Sequence, residues 1–300
     1  MSIQKAFTDA LREAGIRALA DYPLSSLCTL RIGGSSELCL FPKSREQCIR
    51  ALDLIREYGV PFHVLGNGSN VLFGDGSLSG VLLVTKEMDG FSWRQGILTA
   101  DCGVALSTLA IAAAKEGMTG LEFARGIPGT LGGAMTMNAG AYGGQMGDVV
   151  VESLAYDCER GGLVTVRDHG FGYRKSVYLS NPRWICLEAT LRLKVGDVSE
   201  IEAKMREYAQ SRREKQPLEY PSAGSYFKRP EGHFAGKLIE DCGLKGYRIG
   251  DAAVSEKHAG FLINLGGATA EEMLRLEEHV RSCVKDRFGV ILEREVRLIK

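Results

Sequence analysis

The sequence has no cluster of cysteines or histidines and no long apolar run. Its eight cysteines include no C-x-x-C pair and no metal-ligand spacing to the five histidines. They are therefore interpreted as reduced, mostly buried thiols, and no metal is expected. Nowhere do 18 uninterrupted apolar residues occur, and charges interrupt the apolar positions of the N-terminal stretch MSIQKAFTDALREAG. This pattern argues against a membrane span and a signal peptide, and we expect a soluble, cytoplasmic protein.

The sequence also has no excess of charge of either sign. The 37 Lys and Arg residues balance the 37 Asp and Glu residues, so no overall basic field would attract nucleic acid or an anionic membrane. Any polyanion must be bound at a local site. The sequence has no internal repeat, and its 300 residues exceed the usual single domain of about 100 to 200 residues. Two or three packed subdomains are therefore predicted.

Glycine, in contrast, is abundant, with 37 residues where about 7% of a chain is usual. Nine of these glycines lie within residues 120–147. Because there is no collagen period and no low-complexity tract, the glycines predict turns and backbone contacts with a ligand.

Apolar periodicity predicts a chain of mixed helices and strands. Helices are expected over residues 44–58 with Ser44 as cap, 106–116 ending at Gly117, 199–213 with a Ser199/Glu202 capping box, 234–241, and from a Thr269/Glu272 capping box onward. Strands are expected over residues 62–65, 149–157, 163–168, 184–195, 260–264 and 290–300, with strand-like segments in 71–85. Residues 120–147 fit no regular element. The helix over 199–213 is expected to link the two halves of the chain.

The loop GNGSN, Gly66–Asn70, directly follows a predicted strand. Its glycines allow successive backbone N–H groups to face outward, and its Ser and Asn side chains add donors, which suits a phosphate or pyrophosphate. The match to G-x-G-x-x-G is partial, and no helix is predicted after the loop. Taken alone, an ordinary β-turn is an equally good interpretation.

A second glycine-rich segment, GIPGTLGG, occupies Gly126–Gly133. Two separated anion-binding loops suit a dinucleotide held between two subdomains. A long surface loop is the alternative, but polar residues are scarce here and Ala, Met, Leu and Ile fill the gaps. This mixture favours a buried loop against a flat aromatic ligand.

The order of the motifs resembles a known family. GNGSN, GLEFARGIPGTLGGAMTMNAGAYG, FGYRKS, RREKQP, SAGSYFKRP, FAGKLIEDCGLKG, VSEKHAGFLIN and LEREV follow one another as in the UDP-N-acetylenolpyruvoylglucosamine reductase (MurB) family. The glycine motifs are shared with a wider class of FAD enzymes, whereas the later motifs indicate the reductase. The chain lacks the lid insertion of longer members and so resembles the shorter type of this family. Which residue covers the substrate is left open.

The resemblance implies an α+β fold. Two FAD-binding subdomains of the vanillyl-alcohol-oxidase/PCMH type, residues 1–80 and 81–197, would precede a C-terminal α+β substrate-binding domain, residues 198–300. It further implies non-covalent FAD, NADPH as co-substrate, and reduction of UDP-N-acetyl-3-O-(1-carboxyvinyl)-glucosamine to UDP-N-acetylmuramate for peptidoglycan. The expected cofactor-binding residues are Gly66, Asn67, Gly68, Ser69, Asn70, Gly126, Ile127, Pro128, Gly129, Thr130, Gly132, Gly133 and Ala134. We expect a monomer or weak dimer that binds the UDP-sugar and NADPH but no nucleic acid and no membrane.

Three catalytic residues are implied by the resemblance. Ser225 would protonate the carbon next to the substrate carboxylate, and Arg174 and Glu295 would stabilise or help protonate the enolate-like intermediate. A fixed guanidinium and a neutral donor are the groups that such developing charge requires. Considered singly, each has a simpler interpretation: a turn hydroxyl for Ser225, a solvated loop charge for Arg174 and a solvated strand edge for Glu295.

The expected substrate-binding residues are Tyr142, Arg212, Lys215 and Arg297, the last three as basic positions for the diphosphate. The alternative for Arg212 and Lys215 is a charged helix terminus. His258 is interpreted as structural, and Tyr226 and Arg229 are given no role. Two other functions stay open: an oxygen-using FAD oxidase of the same fold, and an inactive UDP-sugar sensor that retains flavin.

Overall fold

A computed structural model of the protein describes residues 3–300. The chain forms two compact units. Unit 1 comprises residues 3–20, Leu38–Asn67 and Gly80–Gln210, and unit 2 comprises Asp21–Glu37, Gly68–Ser79 and Ser211–Lys300. Each unit contains helices and sheets of its own, as an α+β fold requires.

These units differ from the three contiguous segments predicted from the sequence. Residues 21–37 and 68–79 belong to unit 2, in which strand Val71–Phe73 pairs in parallel with strand Arg297–Ile299. Compact units are not assignments of FAD-binding or substrate-binding roles, so the boundaries 1–80, 81–197 and 198–300 stay a prediction. Residues 1 and 2 of the first segment lie outside the described residues.

Six helices begin in unit 1: α1 Ile3–Glu13, α2 Arg45–Tyr58, α3 Leu106–Lys115, α4 Leu131–Met137, α5 Val177–Ser180 and α6 Val198–Lys215. The predictions of α2 and α3 are confirmed, and the Ser44 hydroxyl accepts the Gln47 N–H as the expected cap. The Ser199/Glu202 capping box is wrong. The Asp197 carboxylate instead accepts the Glu200 N–H at 3.0 Å, so α6 begins one residue earlier than predicted.

Two sheets are formed mostly by residues of unit 1. In the antiparallel five-stranded sheet the order is Leu163–Val166, Val150–Asp157, Trp184–Arg192, Ile97–Asp101 and Phe91–Arg94. In the four-stranded sheet the order is Arg17–Pro23, Ser35–Phe41, Leu78–Val84 and Phe62–Leu65. The strands expected over 62–65, 149–157 and 163–168 are confirmed, and that over 184–195 consists of Trp184–Arg192 and Lys194–Val195. Helix α4 packs on the central strand Trp184–Arg192.

The interpretation of residues 120–147 as irregular is wrong in part, because α4 lies inside this segment. Its buried Leu131 and Met135 face the core, while Gly132 allows close approach to Cys102. The low helix propensity of a seven-residue segment with two glycines is thus overcome by burial. The rest holds 3₁₀ turns and two-residue strands, namely Glu122–Gly126, Met146–Asp148, Gly140–Ala141 and Gly144–Gln145.

Unit 2 contains helices α7 Ala235–Asp241 and α8 Ala270–Phe288, both predicted. The Thr269/Glu272 capping box of α8 is confirmed. A three-stranded antiparallel sheet has the order Arg248–Ile249, Ala252–Val254 and Leu262–Asn264. The strand predicted over 290–300 is regular only at Arg297–Ile299, because the preceding residues make just one isolated bridge, Phe227 with Arg294.

All eight cysteines are free thiols, and five of them are buried. Burial raises the pKa of Cys102 to about 12, which keeps this thiol protonated. Within residues 3–300, no helix combines the length and apolar character needed to cross a membrane. In the same residues no group of three or more His, Cys, Asp or Glu is arranged to hold a metal ion.

Candidate active site

Two of the predicted phosphate-binding segments meet in unit 1. The Asn67 amide nitrogen donates to the Pro128 carbonyl at 2.6 Å, and a Cβ on Gly66 would collide with the Thr130 hydroxyl. Only glycine permits this approach of backbone to side chain. The first loop and the GIPGTLGG segment are therefore held together at this point, as one ligand touching both would need.

Backbone hydrogen bonds to residues 102–106 fix the GIPGTLGG segment. Leu131 N–H donates to the Val104 carbonyl and Gly132 N–H to the Cys102 carbonyl, both at 2.8 Å. Thr130 and Ala134 are buried, whereas Pro128 and Gly133 are exposed and the residues Gly126, Ile127, Gly129 and Gly132 are half-buried. The prediction of a buried loop is therefore correct only in part, because the loop is partly exposed while Thr130 and Ala134 are buried.

The last three residues of GNGSN belong to unit 2. Gly68 has a φ of +60°, and a Cβ there would collide with the Leu27 carbonyl. The Asn70 amide donates to the Glu295 carbonyl at 3.2 Å, and Arg297 N–H donates to the Asn70 carbonyl at 3.0 Å. The structure therefore joins a predicted cofactor loop to the segment of a predicted catalytic residue and a predicted diphosphate ligand.

Arg174 lies in a tight hairpin of unit 1. Gly172 and Lys175 exchange two backbone hydrogen bonds of 3.1 Å, with Tyr173 and Arg174 at the tip. Arg174 has a φ of +51°, a left-handed conformation that bulky residues rarely adopt. Its guanidinium lies 5.1 Å from the centre of the Tyr173 ring. Such strain is typical of functional positions.

A buried amide and a neutral polar network support this hairpin. Asn138, the left-handed C-cap of α4, donates 3.0 Å hydrogen bonds to the Gly172 carbonyl and to Gln145. Beside the hairpin, the Ser153 hydroxyl contacts His169 Nε2 at 2.7 Å and the Tyr178 hydroxyl at 2.5 Å. Burial lowers the pKa of His169 and raises that of Tyr178, so both stay uncharged near neutral pH.

Ser225 and Glu295 lie close together in unit 2. The Glu295 N–H donates to the carbonyl of Tyr226, the residue after Ser225, at 2.9 Å. Ser225 is exposed and Glu295 is half-buried, whereas the intervening Tyr226 is fully buried. Ser225 and Glu295 are 70 positions apart in sequence, but the backbone of Glu295 is hydrogen-bonded to the residue that follows Ser225.

The predicted substrate-binding residues come from separate elements. In unit 1, Tyr142 has a φ of +53° and stacks on Tyr208 with ring centres 4.3 Å apart. In unit 2, Arg212 and Lys215 lie in the last turn of α6, where Arg212 Nε donates to Gln216 at 2.8 Å. Arg297 is exposed on its strand.

Comparison with known proteins decides the family. The profile described as "UDP-N-acetylenolpyruvoylglucosamine reductase, C-terminal domain" matches residues 216–299, and "FAD binding domain" matches residues 36–167. The UDP-N-acetylenolpyruvoylglucosamine reductase of Caldicellulosiruptor saccharolyticus is 46% identical over 298 residues, which cover 98% of this chain and 95% of that protein. The chain belongs to the UDP-N-acetylenolpyruvoylglucosamine reductase family.

Solved structures agree with this family and with its fold. The crystal structure of the MurB reductase from Thermus caldophilus has a TM-score of 0.81 at 33% identity, covering 95% of this chain and 99% of that one. p-Cresol methylhydroxylase has a TM-score of 0.50 at 13% identity over 65% of this chain and 44% of that one. The reductase-family chain therefore has the predicted α+β fold of the vanillyl-alcohol-oxidase/PCMH type, with an FAD-binding domain.

Three residues of this reductase-family chain were missed or given no role in the sequence analysis. The Tyr226 hydroxyl and Arg294 Nη1 each donate to Glu277 Oε2 at 3.1 Å. Burial and the adjacent Glu277 carboxylate raise the pKa of Tyr226, which therefore stays a hydroxyl donor. One signal was available: Glu277 falls on the apolar stripe of α8, among the buried residues Met273, Leu276, Val280 and Val284.

His258 is arranged as a structural residue. Its Nδ1 accepts the Gly260 N–H at 3.0 Å, and its ring lies edge-on to Phe261 with centres 5.0 Å apart. The Gly260 carbonyl in turn accepts the Tyr226 N–H at 2.9 Å. His258 thus supports the turn on which the Ser225 segment rests.

Proposed function

We propose that this protein reduces UDP-N-acetyl-3-O-(1-carboxyvinyl)-glucosamine to UDP-N-acetylmuramate for peptidoglycan synthesis, using non-covalently bound FAD and NADPH. The observation that carries the proposal is the backbone hydrogen bond from the Glu295 N–H to the carbonyl of Tyr226, the residue after Ser225. An oxygen-using FAD oxidase has no need of a proton donor and a carboxylate arranged in this way. Family membership over nearly the whole chain supports the same reaction.

The glycine-rich segments are suited to hold FAD. At Gly66 and Gly68 a side chain would collide with Thr130 and with the Leu27 carbonyl, so glycine lets this loop pack closely on its supporting segments. Backbone N–H groups in a glycine-rich loop of this kind suit a pyrophosphate. We assign Gly66, Asn67, Gly68, Ser69 and Asn70 to this role, together with Gly126, Ile127, Pro128, Gly129, Thr130, Gly132, Gly133 and Ala134. When bound, FAD supplies hydride transfer between NADPH and the enolpyruvyl group.

Three side chains of the protein act on the charge that then develops. Hydride addition at the terminal carbon places negative charge on the carbon next to the carboxylate and on the carboxylate itself. The Arg174 guanidinium, always charged, stabilises this enolate-like state. The Ser225 hydroxyl donates its proton to the carbon, and Glu295 helps to replace that proton.

The substrate itself is bound by Tyr142, Arg212, Lys215 and Arg297. A diphosphate prefers guanidinium and ammonium donors, and Arg297 is exposed on its strand two residues after Glu295. In a chain without net positive charge, this local group supplies the attraction. We also place the protein in the cytoplasm as a monomer or weak dimer, which cell fractionation and light scattering test.

A spectrum of the purified protein tests the function. We expect a yellow protein whose FAD is released by acid or heat, is bleached by NADPH without air, and regains its colour on addition of the enolpyruvyl substrate. Regained colour with oxygen alone, but not with the substrate, would indicate the oxidase. A colourless protein that FAD cannot reconstitute, or flavin that denaturation does not release, contradicts the assignment of a non-covalent cofactor.

A further inference from the structure

A buried carboxylate lies behind the Ser225 segment. The Glu277 side chain on α8 is only 6% exposed, and its Oε2 accepts hydrogen bonds from the Tyr226 hydroxyl and from Arg294 Nη1, each at 3.1 Å. Arg281 Nη1 lies 3.8 Å from Oε1. A charge so buried is tolerated because it is paired and hydrogen-bonded.

Both donors to this oxygen are sequence neighbours of the candidate catalytic residues. Tyr226 follows Ser225, and Arg294 precedes Glu295. The backbones of the two segments are paired as well: Glu295 N–H donates to the Tyr226 carbonyl at 2.9 Å, and Lys228 N–H donates to the Glu293 carbonyl at 2.8 Å. One atom of Glu277 therefore restrains both segments through side chains, beside the hydrogen bonds that join their backbones.

We propose that Glu277 is a positioning residue, which holds Ser225 and Glu295 at the separation that proton delivery to the substrate requires. The inference rests on the proposed function, because it takes Ser225 as the proton donor. Glu277 acts only through Tyr226 and Arg294.

The alternative is that the cluster only stabilises the fold. Tyr226 is fully buried and packs edge-on against Phe227, with ring centres 5.2 Å apart, so a phenylalanine would fill nearly the same volume. What the hydroxyl adds is a fixed orientation of the Tyr226 side chain, because it donates to the same Glu277 oxygen as Arg294. Misplacement of a reacting group by about 1 Å can cost about a hundredfold in rate, so loss of direction should affect one chemical step more than overall stability.

The test uses the FAD-loaded, full-length protein with Tyr226→Phe, Glu277→Gln and the control Glu278→Gln. Glu278 is the next residue of α8, is 71% exposed and pairs with Arg281 at 3.7 Å. Stopped-flow absorbance measures flavin bleaching by NADPH and colour recovery with the enolpyruvyl substrate separately. We expect recovery about ten- to a hundredfold slower in both test variants, with bleaching changed less than about twofold and the control like wild type.

Two further readouts separate positioning from stability. The solvent deuterium isotope effect on colour recovery should increase in Glu277→Gln, because a misplaced donor makes proton transfer limit the rate. Amide hydrogen exchange of residues 293–297 should become faster, since the restraint on the Glu295–Tyr226 bond is weaker. Tyr226→Phe keeps the Glu277–Arg294 pair, so it tests the idea even where Glu277→Gln fails to fold.

The inference is wrong if both test variants recover colour at the wild-type rate, or if bleaching and recovery slow by the same factor as folded protein is lost. It is also wrong if Glu278→Gln reproduces their defect, since any lost carboxylate on α8 would then suffice. Wild-type protein that bleaches with NADPH but never recovers with the enolpyruvyl substrate contradicts the proposed function itself. No variant is needed to observe that failure, so the two failures are distinguishable.

Discussion

The Arg174 hairpin of unit 1 and the Ser225–Glu295 pair of unit 2 are held in place by opposite means. Arg174 itself carries backbone strain, with a φ of +51°, and the hydrogen-bonding groups that support its hairpin include an amide, two hydroxyls and an uncharged imidazole. Around Ser225 and Glu295, neither candidate residue has a positive φ. Their neighbours are tied instead to the buried charge of Glu277.

The difference follows from what each group must do. A guanidinium keeps its charge at any working pH, so a support for Arg174 needs to fix direction only, and a strained turn held by hydrogen bonds does so. A serine donates a proton only when its neighbours fix its distance. Buried charged hydrogen bonds are stronger than neutral ones, and they suit that task.

The largest effect is expected where the proton is delivered. Ser225→Ala should retain flavin bleaching by NADPH but lose colour recovery with the enolpyruvyl substrate by about 10² to 10⁴, the usual contribution of a positioned acid. Stopped-flow absorbance of each half-reaction measures this, with substrate affinity determined separately. Recovery at the wild-type rate would show that Ser225 is only a turn residue. The Ser225–Glu295 pair would then have no catalytic role to compare with that of the Arg174 hairpin. Loss of bleaching would show that the two roles are not separable.

Next in size is the diphosphate contact that accompanies Glu295. Arg297→Ala should weaken UDP-sugar binding by about 1.5 to 3 kcal/mol, a ten- to hundredfold effect, because one charged hydrogen-bonding partner is lost. The spectrum of bound flavin should not change. Arg212→Ala and Lys215→Ala serve as companions in the same titration. Unchanged binding in all three variants would show that other residues bind the diphosphate. Unit 2 would then contribute proton delivery but not diphosphate binding.

The strain in the Arg174 hairpin can be measured directly. Arg174→Gly should be more stable than Arg174→Ala by about 0.5 to 1 kcal/mol. Glycine adopts a positive φ without strain, and this gain exceeds the larger chain entropy that glycine loses on folding. Urea unfolding compares the two, and both should lose substrate reduction. Lys175, the next residue, is the matched control: there the glycine variant should be the less stable one. Equal stabilities at 174 would mean that the hairpin stores no strain.

The smallest effect concerns acid. Burial lowers the pKa of His169 below its usual 6.5, so as the pH falls below 6.5 the unfolded chain binds a proton that the folded protein resists, and stability is lost. His169→Gln should therefore reduce the fall in unfolding free energy between pH 7 and pH 5, measured by urea titration at each pH. His258, whose pKa burial also lowers, contributes a slope of the same sign. An unchanged slope would show that His169 is not part of the acid response.

Local patterns predicted much of the fold. The caps at Ser44 and Thr269 were evident because a side chain and a backbone N–H three residues apart decide them. The start of α6 was not, since Asp197 and Ser199 both suit a cap and the choice depends on the approach of the chain. The parallel pairing of Val71–Phe73 with Arg297–Ile299 joins residues over 220 positions apart, and no local pattern specifies it.

The candidate site was predicted unevenly. Motif order identified Ser225, Glu295 and Arg174 as candidates, and the structure shows that Glu295 is hydrogen-bonded to Tyr226, the residue after Ser225. Asn138 and Glu277 were missed, because one resembles an ordinary loop amide and the other an ordinary solvated helix acid. Burial identifies both, since Asn138 is 1% and Glu277 5% exposed, and in the sequence only the position of Glu277 on the apolar stripe of α8 indicated it. Support residues of this kind are defined by what surrounds them in space, which sequence spacing does not contain.

The parallel pairing of Val71–Phe73 with Arg297–Ile299 also constrains the order of folding. During synthesis at about 5 to 20 residues per second, strand Val71–Phe73 leaves the ribosome roughly 10 to 45 seconds before its partner exists. Three residues that are buried in the finished protein stay without their partner strand for that time. The pairing that completes unit 2 therefore forms only after the C-terminal strand has been made, and until then a short apolar segment lacks its native strand partner.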